Sequence, residues 1–328
     1  MASLFLQERS LVVTILESLF CLVILLVSLV GNILVCVAVY RNARLRYTTS
    51  IYIIALALGD LLCASVEMPL TLWTLIVGRW VFGDAVCQMQ GFVDVFAASC
   101  PPAIMSLTAL NRYIRIIKTN YYQKIFSPRR SKIWLVCVLS SLALYLLVAR
   151  VTNWQKYDFI PGFAACSVEH FTEERKAIHY CFIVSVYFVF PISVAIYSYY
   201  QVFKNIRQHN LDVARSFQIS SENEQKRISV QEIKISKSLA FVMAGFVCCW
   251  IPRWITGLTN RFLPKPVPRA VPLTDTFLIF VSCAINPFIY AVTNRAFRQE
   301  LRGMLRCGVN RTHSGENNPQ RARVSKQR

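Results

Sequence analysis

Seven apolar runs, each about 20 residues or longer, constrain this chain more than any other feature. They cover residues 11–40, 48–77, 85–117, 133–153, 177–203, 235–259 and 271–293. A run of roughly 18 apolar residues is long enough to cross the hydrocarbon of a bilayer as a helix. A helix also satisfies its own backbone N–H and C=O groups, which hydrocarbon cannot do. The expected fold class is therefore an all-α membrane protein, a seven-transmembrane helix bundle. Only 16% of the residues are charged, against about a quarter in a soluble domain.

The charges set an orientation. With the N-terminus outside, the inner loops, inner helix ends and tail hold 26 of the 36 Lys and Arg residues. That asymmetry is the positive-inside pattern. The net charge of +19 thus points to membrane lipid as a partner and excludes nucleic acid, because basic segments beside spans meet anionic headgroups first. The expected location is the plasma membrane, multi-pass. Residues 1–10 form a short extracellular N-terminus without a separate cleavable signal, the first run being too long for one. The sequon Asn310-Arg311-Thr312 falls on the inner side. Recognition of a ligand must then occur within, or just above, the 11–293 bundle.

Other classes fit less well. There is no zinc-like Cys/His cluster and no Gly-rich phosphate loop, and the four histidines, His170, His179, His209 and His313, are scattered. Neither an enzyme nor a bound metal or cofactor is expected. A transporter would show paired or inverted halves, and no such symmetry is visible. Of twelve cysteines, most lie inside the runs as small apolar residues. Cys87 opens the third run, and Cys166 lies in the loop between runs four and five, both on the oxidising side. A bridge between them would pin that loop over the helix mouth.

Polar groups inside the runs are the functional candidates, since a charge in hydrocarbon is costly unless it is paired or wetted. Residues 18 apart return to the same helical face about 27 Å along the axis. Asp94 and Arg112 have that spacing in the third run, as do Glu232 and Trp250 in the sixth. Each helix thus carries one outer and one inner group on a shared stripe. Arg112 and Glu232 can meet as a charge-assisted pair that holds the inner ends of helices three and six together. Pro252 breaks a backbone hydrogen bond and bends helix six, and Trp250 is placed to feel a ligand. Asp60 lies mid-span in helix two, with Asn32 and Asn286 as polar partners. Tyr199 and Tyr290 lie toward the inner ends of helices five and seven.

The motifs Gly31-Asn32, Leu56-Ala57-Leu58-Gly59-Asp60, Trp80-Val81-Phe82-Gly83, Cys87, Asn111-Arg112-Tyr113, Trp134, Cys166, Pro191, Tyr199, Cys249-Trp250-Ile251-Pro252 and Asn286-Pro287-Phe288-Ile289-Tyr290 stand in an order and spacing that cover nearly the whole chain. In this the sequence resembles a rhodopsin-like, or class A, G-protein-coupled receptor. The resemblance implies a cell-surface receptor that converts binding of a small extracellular ligand into activation of a heterotrimeric G protein, with arrestin as a further partner. It also implies coupling through Arg112 and the inner loops, and a ligand pocket near Asp94 and Trp250.

Three departures stand out. Asn111 replaces the acid that most relatives carry beside the arginine. Pro101-Pro102 occupy positions where the family has a serine and an apolar residue, which puts a sodium site at Asp60 in doubt and suggests a kinked helix three. Around the expected pocket, Asp94 stands where amine receptors hold an ammonium group, but Ile183, Val184 and Tyr187 replace their helix-five serines. Arg253 and Trp254 follow the Trp250-Ile251-Pro252 motif, and Glu67 lies two turns above Asp60. Asp94 either takes an amine or is paired internally, and Arg253 can neutralise Asp94 or Glu67 or meet an acidic ligand. Phe280 stands where opsins carry the retinal lysine, so a covalent pigment is excluded by the missing amine. Likeness to amine, melatonin and opsin-type receptors is partial in each case, and a short-peptide receptor or a non-covalent opsin-related receptor remains the alternative.

Past the seventh run, Phe297, Leu301, Met304 and Leu305 share a stripe with arginines between them. Residues 294–307 read as an amphipathic helix lying on the inner leaflet, ending at Cys307, a candidate palmitoylation site. Residues 308–328 read as a disordered cytoplasmic tail.

Overall fold

The computed structural model describes residues 5–45, 47–169, 172–215, 230–262 and 268–314. Among the site candidates, the side chains of Glu232, Trp254 and Cys307 lie outside the described residues. Among the described residues, seven helices are long and apolar enough to cross a membrane: Leu11–Arg41, Ser50–Val77, Gly83–Ile117, Pro128–Val151, Ala177–Gln208, Ile233–Arg253 and Ala270–Thr293. The third packs against the second, fourth, fifth and sixth, while the first closes the bundle against the second and seventh. Helix three is accordingly the most buried of the set. Much of the outward surface is Leu, Ile, Val and Phe, as a lipid-facing wall requires.

Local chemistry explains the ends. Ser10 and Ser127 are N-caps whose hydroxyls accept from Val13 N and Arg130 N, relieving free first-turn donors. Pro128 occupies the first turn of helix four, where no donor is needed. Gly78 ends helix two at φ 78°, a conformation that favours glycine. Two helices contain a widened π turn, Cys63–Glu67 in the second and Ser185–Val189 in the fifth. Such turns recur at functional sites, and each here contains a buried polar side chain, Glu67 and Tyr187. Helix three continues through Pro101 and Pro102 without interruption.

The cytoplasmic helices extend beyond their apolar cores. Helix five runs on to Arg215, and helix six begins at Val230, so the segment between the fifth and sixth apolar runs is helical at both ends. The helix after the seventh span runs Arg295–Ser314, past the boundary at 307 drawn from the apolar stripe. Residues 308–314 are thus helical rather than part of a tail without structure, and 315–328 lie outside the described residues.

Between helices four and five the chain forms an antiparallel hairpin, β1 (Lys156–Ile160) and β2 (Ala165–Glu169). It packs on helix three, and Cys166 is joined to Cys87 by a disulfide. Gln88 Nε2 donates to Tyr157 O at 2.7 Å, and Cys166 N donates to Gln90 Oε1 at 2.9 Å. Asp158 raises the pKa of the neighbouring Lys156 through their hydrogen bond, but an exposed pair of this kind adds little stability.

Close approach of helices one and seven rests on Gly31. A Cβ there would lie 2.8 Å from Pro287 Cγ. Gly31→Val is expected to push helix seven outward at a cost of about 1–3 kcal/mol. Thermal unfolding of the purified receptor measures it, and an unchanged Tm would refute the contact.

Candidate functional site

The outer site is built beneath the hairpin. Asp94 lies two turns below Cys87 on helix three and is buried. Ser167, the residue after the bridged Cys166, donates its Oγ to Asp94 Oδ2 at 2.6 Å. Arg253 Nη2 reaches the same oxygen at 3.4 Å. The guanidinium of Arg253 also lies over the Phe163 ring, 5.2 Å from its centroid. Its electrostatic neighbours are Asp94, Tyr180, Glu67 and Asp275. Glu67 is buried and accepts from Cys63 Sγ at 3.3 Å. Asp275 is buried too, with Oδ2 lacking a hydrogen bond among the described residues. Three carboxyl groups therefore lie within electrostatic reach of one guanidinium.

Trp250 is buried in helix six. Its Nε1 donates to Ser282 Oγ at 3.3 Å, and its ring stacks on Phe246 at 5.3 Å. Phe280 is fully buried in helix seven. Tyr187 faces an aromatic group formed by Tyr145 and Phe182. The sequence candidates Asp94, Arg253 and Glu67 are thus brought together, whereas Tyr187 sits in a neighbouring cluster between helices four and five. Ser167, Phe163 and Asp275 were missed. For Ser167 a signal existed: once Cys166 is tied to Cys87, the next residue must hang over the upper turns of helix three.

At mid-depth, Asn286 Nδ2 donates to Asp60 Oδ2 at 2.9 Å, and Asn32 Nδ2 donates to Cys283 O at 3.0 Å. Helices one, two and seven are thereby cross-linked by polar groups. Below them Tyr199 and Tyr290 border a cavity of about 10 Å³, and Tyr290 stacks on Phe297 of the C-terminal helix at 5.4 Å.

The inner site centres on Arg112, which is fully buried. Its Nη2 donates to Asn111 Oδ1 at 3.2 Å, and its guanidinium lies 6.0 Å from the centroid of the Tyr47 ring. Asn111 Oδ1 also accepts from Thr49 Oγ1 at 2.9 Å, while Asn111 Nδ2 donates to Tyr122 Oη at 3.5 Å. Tyr122 belongs to a short helix, Thr119–Ile125, in the second inner loop. Burial alone would raise its phenol, but hydrogen bonds with Thr48, Arg115 and Asn111 hold it below the usual value. Asn111 therefore ties Arg112 to the first and second inner loops. The expected contact with Glu232 involves a side chain outside the described residues.

Comparison with known families places this geometry. Residues 31–290 match the family described as 7 transmembrane receptor (rhodopsin family), and the chain belongs to it. Among similar proteins, melatonin receptor type 1B-B of Danio rerio is 26% identical over 84% of this chain and 77% of its own. Histamine H2 receptor of Canis lupus familiaris is 28% identical over 87% and 78%. The QRFP-like peptide receptor of Branchiostoma floridae is 26% identical over 89% and 78%. The protein is a multi-pass plasma-membrane receptor for a small ligand, coupled to G proteins, and not an enzyme.

Proposed function

We propose that the ligand is a small protonated amine that enters from outside, with the N-terminus extracellular, and competes with Arg253 for Asp94. The observation that carries this reading is the single Asp94 oxygen shared between Ser167 and a distant Arg253. A guanidinium held at 3.4 Å by one contact is a weak occupant of a buried carboxylate, which favours a close, desolvated cation. When an ammonium group takes Asp94, Arg253 is not stranded, because Glu67 and Asp275 lie within its electrostatic reach. A surplus of carboxyl groups over cations also favours a cationic ligand over an acidic one. The similarity to a receptor named for histamine, itself an amine, supports the same class. A peptide reading has less support, since Lys156 and Asp158 of the outer loop pair with each other.

Movement of Arg253 is delivered to helix six one residue past Pro252 and three past Trp250. The bend at Pro252 then turns a small outer shift into a swing of the inner end, releasing Arg112 toward the G protein. Glu232, Tyr199, Tyr290, Asn286 and Asp60 complete this switch, Phe280 borders the pocket, and Trp254 is assigned to ligand contact by its sequence position alone. Arrestin binding to the tail and a lipid on Cys307 belong to the same reading.

A panel of protonated amines, read by second-messenger response, tests it. Asp94→Asn is expected to lower the potency of an active amine about tenfold, the net of a new charged contact against the displaced Arg253. Arg253→Gln should raise potency. A full amine response in Asp94→Asn at equal surface expression, or activation by acidic ligands alone, would end the amine assignment.

A further inference from the structure

Helix six is tied to helix seven, on the inner side of Pro252, by a pair of hydroxyls that the switch described above does not use. Ser238 Oγ and Thr293 Oγ1 lie 2.5 Å apart. Thr293 donates its own proton to Ile289 O, one turn back in helix seven, and a hydroxyl has only one proton to give. Ser238 is therefore the donor to Thr293. The bond runs from helix six, through one side chain, to the backbone of helix seven. Ser238 is 2% exposed, so losing its acceptor would leave a buried donor unsatisfied. Seven residues further along, on the same face of helix six, Gly245 lets Ile289 come close: a Cβ there would lie 3.3 Å from Ile289 Cδ1. Ile289 and Thr293 are four apart and share a face of helix seven. The hydroxyl bond and the glycine contact thus form one seam between the two helices.

We propose that Ser238 and Thr293 form a latch that holds helix six at rest against helix seven, and that activation requires the latch to part. Arg112 is fully buried in this arrangement, so the latched state is the one closed to the G protein. The lever is long. Ser238 precedes the hinge at Pro252 by about 21 Å of helix, so a bend of roughly 10° there carries it about 4 Å. A displacement of that size takes a hydroxyl pair beyond hydrogen-bond reach. Thr293 closes helix seven, where the buried Tyr290 ring stacks on Phe297 of the C-terminal helix, so the latch fastens a moving element to an anchored one. Asn111 offers Arg112 a neutral acceptor rather than a carboxylate, a bond of about half the strength. The seam restrains helix six independently of that bond.

The test is basal nucleotide exchange on G protein by the purified full chain in phosphatidylcholine nanodiscs, without extracellular ligand and with thermal unfolding measured alongside. Thr293→Val keeps the shape and removes the hydroxyl, and Ser238→Ala removes the donor. Each is expected to raise exchange about fivefold, the effect of losing one hydrogen bond from the resting state. Both changes break the same bond, so the double variant should rise no further than the higher single one. Thr293→Ser keeps the hydroxyl and should stay at the wild-type rate, a rescue that a role in packing alone would not give. The Ser238→Cys, Thr293→Cys variant reads the opposite sign and serves should the other variants fail to fold. Oxygen, with copper phenanthroline as catalyst, accepts the two electrons and two protons that the thiols give up as their S–S bond forms. Exchange should then fall below the wild-type rate and return with dithiothreitol. Unchanged exchange in folded Thr293→Val, additive gains in the double variant, failure of the two cysteines to bridge, or free exchange in the bridged form would each overturn the latch. No outcome depends on which extracellular ligand the receptor takes.

Discussion

Gly91→Leu is expected to unseat the extracellular hairpin and remove most receptor from the cell surface. A Cβ at position 91 would lie 2.5 Å from Cβ, Cγ and Cδ1 of Tyr157, closer than carbon atoms pack. Tyr157 cannot step aside. Its ring is buried, its hydroxyl accepts from Gln155 Nε2 at 3.0 Å, and its carbonyl accepts from Gln88. The disulfide and the Cys166–Gln90 hydrogen bond fix the opposite strand to helix three. Overpacking in a tight core costs about 1–3 kcal/mol for added methylenes, and a leucine against three immobile atoms should reach or exceed the upper end. Because Ser167 reaches Asp94 from the same hairpin, ligand response per surviving receptor should fall as well. Tyr157→Gly removes all three clashing atoms, so the double variant should recover surface expression relative to Gly91→Leu alone. Normal expression and potency in the single variant would show that the hairpin does not rest on Gly91.

How much of this was legible beforehand depends on the range of the interaction concerned. Spans depend on local hydropathy, so all seven were found from apolar runs, and the bridge followed from two cysteines placed on one side of the membrane. The Asp94–Arg253 pair stood as one of two open alternatives. Placing Arg253 against Asp94 requires the rotation of helix six against helix three, which no spacing within a single helix supplies. Ser167, Phe163 and Asp275 come from the hairpin and helix seven, and they meet Asp94 and Arg253 only after the fold closes. Asn111 was legible as a departure from an acid. What could not be read was its partner set, Thr49 and Tyr122, because both belong to inner-loop segments whose position is set by packing. The long cytoplasmic ends of helices five and six were missed because membrane burial, the signal used to bound the helices, stops before the helices do.

Arg112→Glu is expected to abolish nucleotide exchange on the G protein, by roughly a hundredfold or more, in the range seen when a buried charged anchor of an interface is lost. The native guanidinium is buried, donates to Asn111 Oδ1 and faces the Tyr47 ring. A carboxylate there would meet the lone pairs of Asn111 and the negative face of Tyr47, so both contacts turn repulsive while the cation required by the partner is gone. Loss of expression would confuse this result, and Asn111→Asp removes the confusion because it keeps the acceptor. Aspartate would hold Arg112 by a charge-assisted bond, about twice as strong as the neutral one. An extra 1 kcal/mol or so in favour of the resting state should lower basal exchange by about fivefold to tenfold. Tyr122 can still donate its hydroxyl to the new carboxylate, so the inner-loop contact survives the change. Exchange measured on purified receptor with G protein and no ligand decides the matter: undiminished basal activity in Asn111→Asp would mean that Asn111 does not restrain Arg112, and full agonist-driven exchange in Arg112→Glu would remove the arginine from the coupling mechanism.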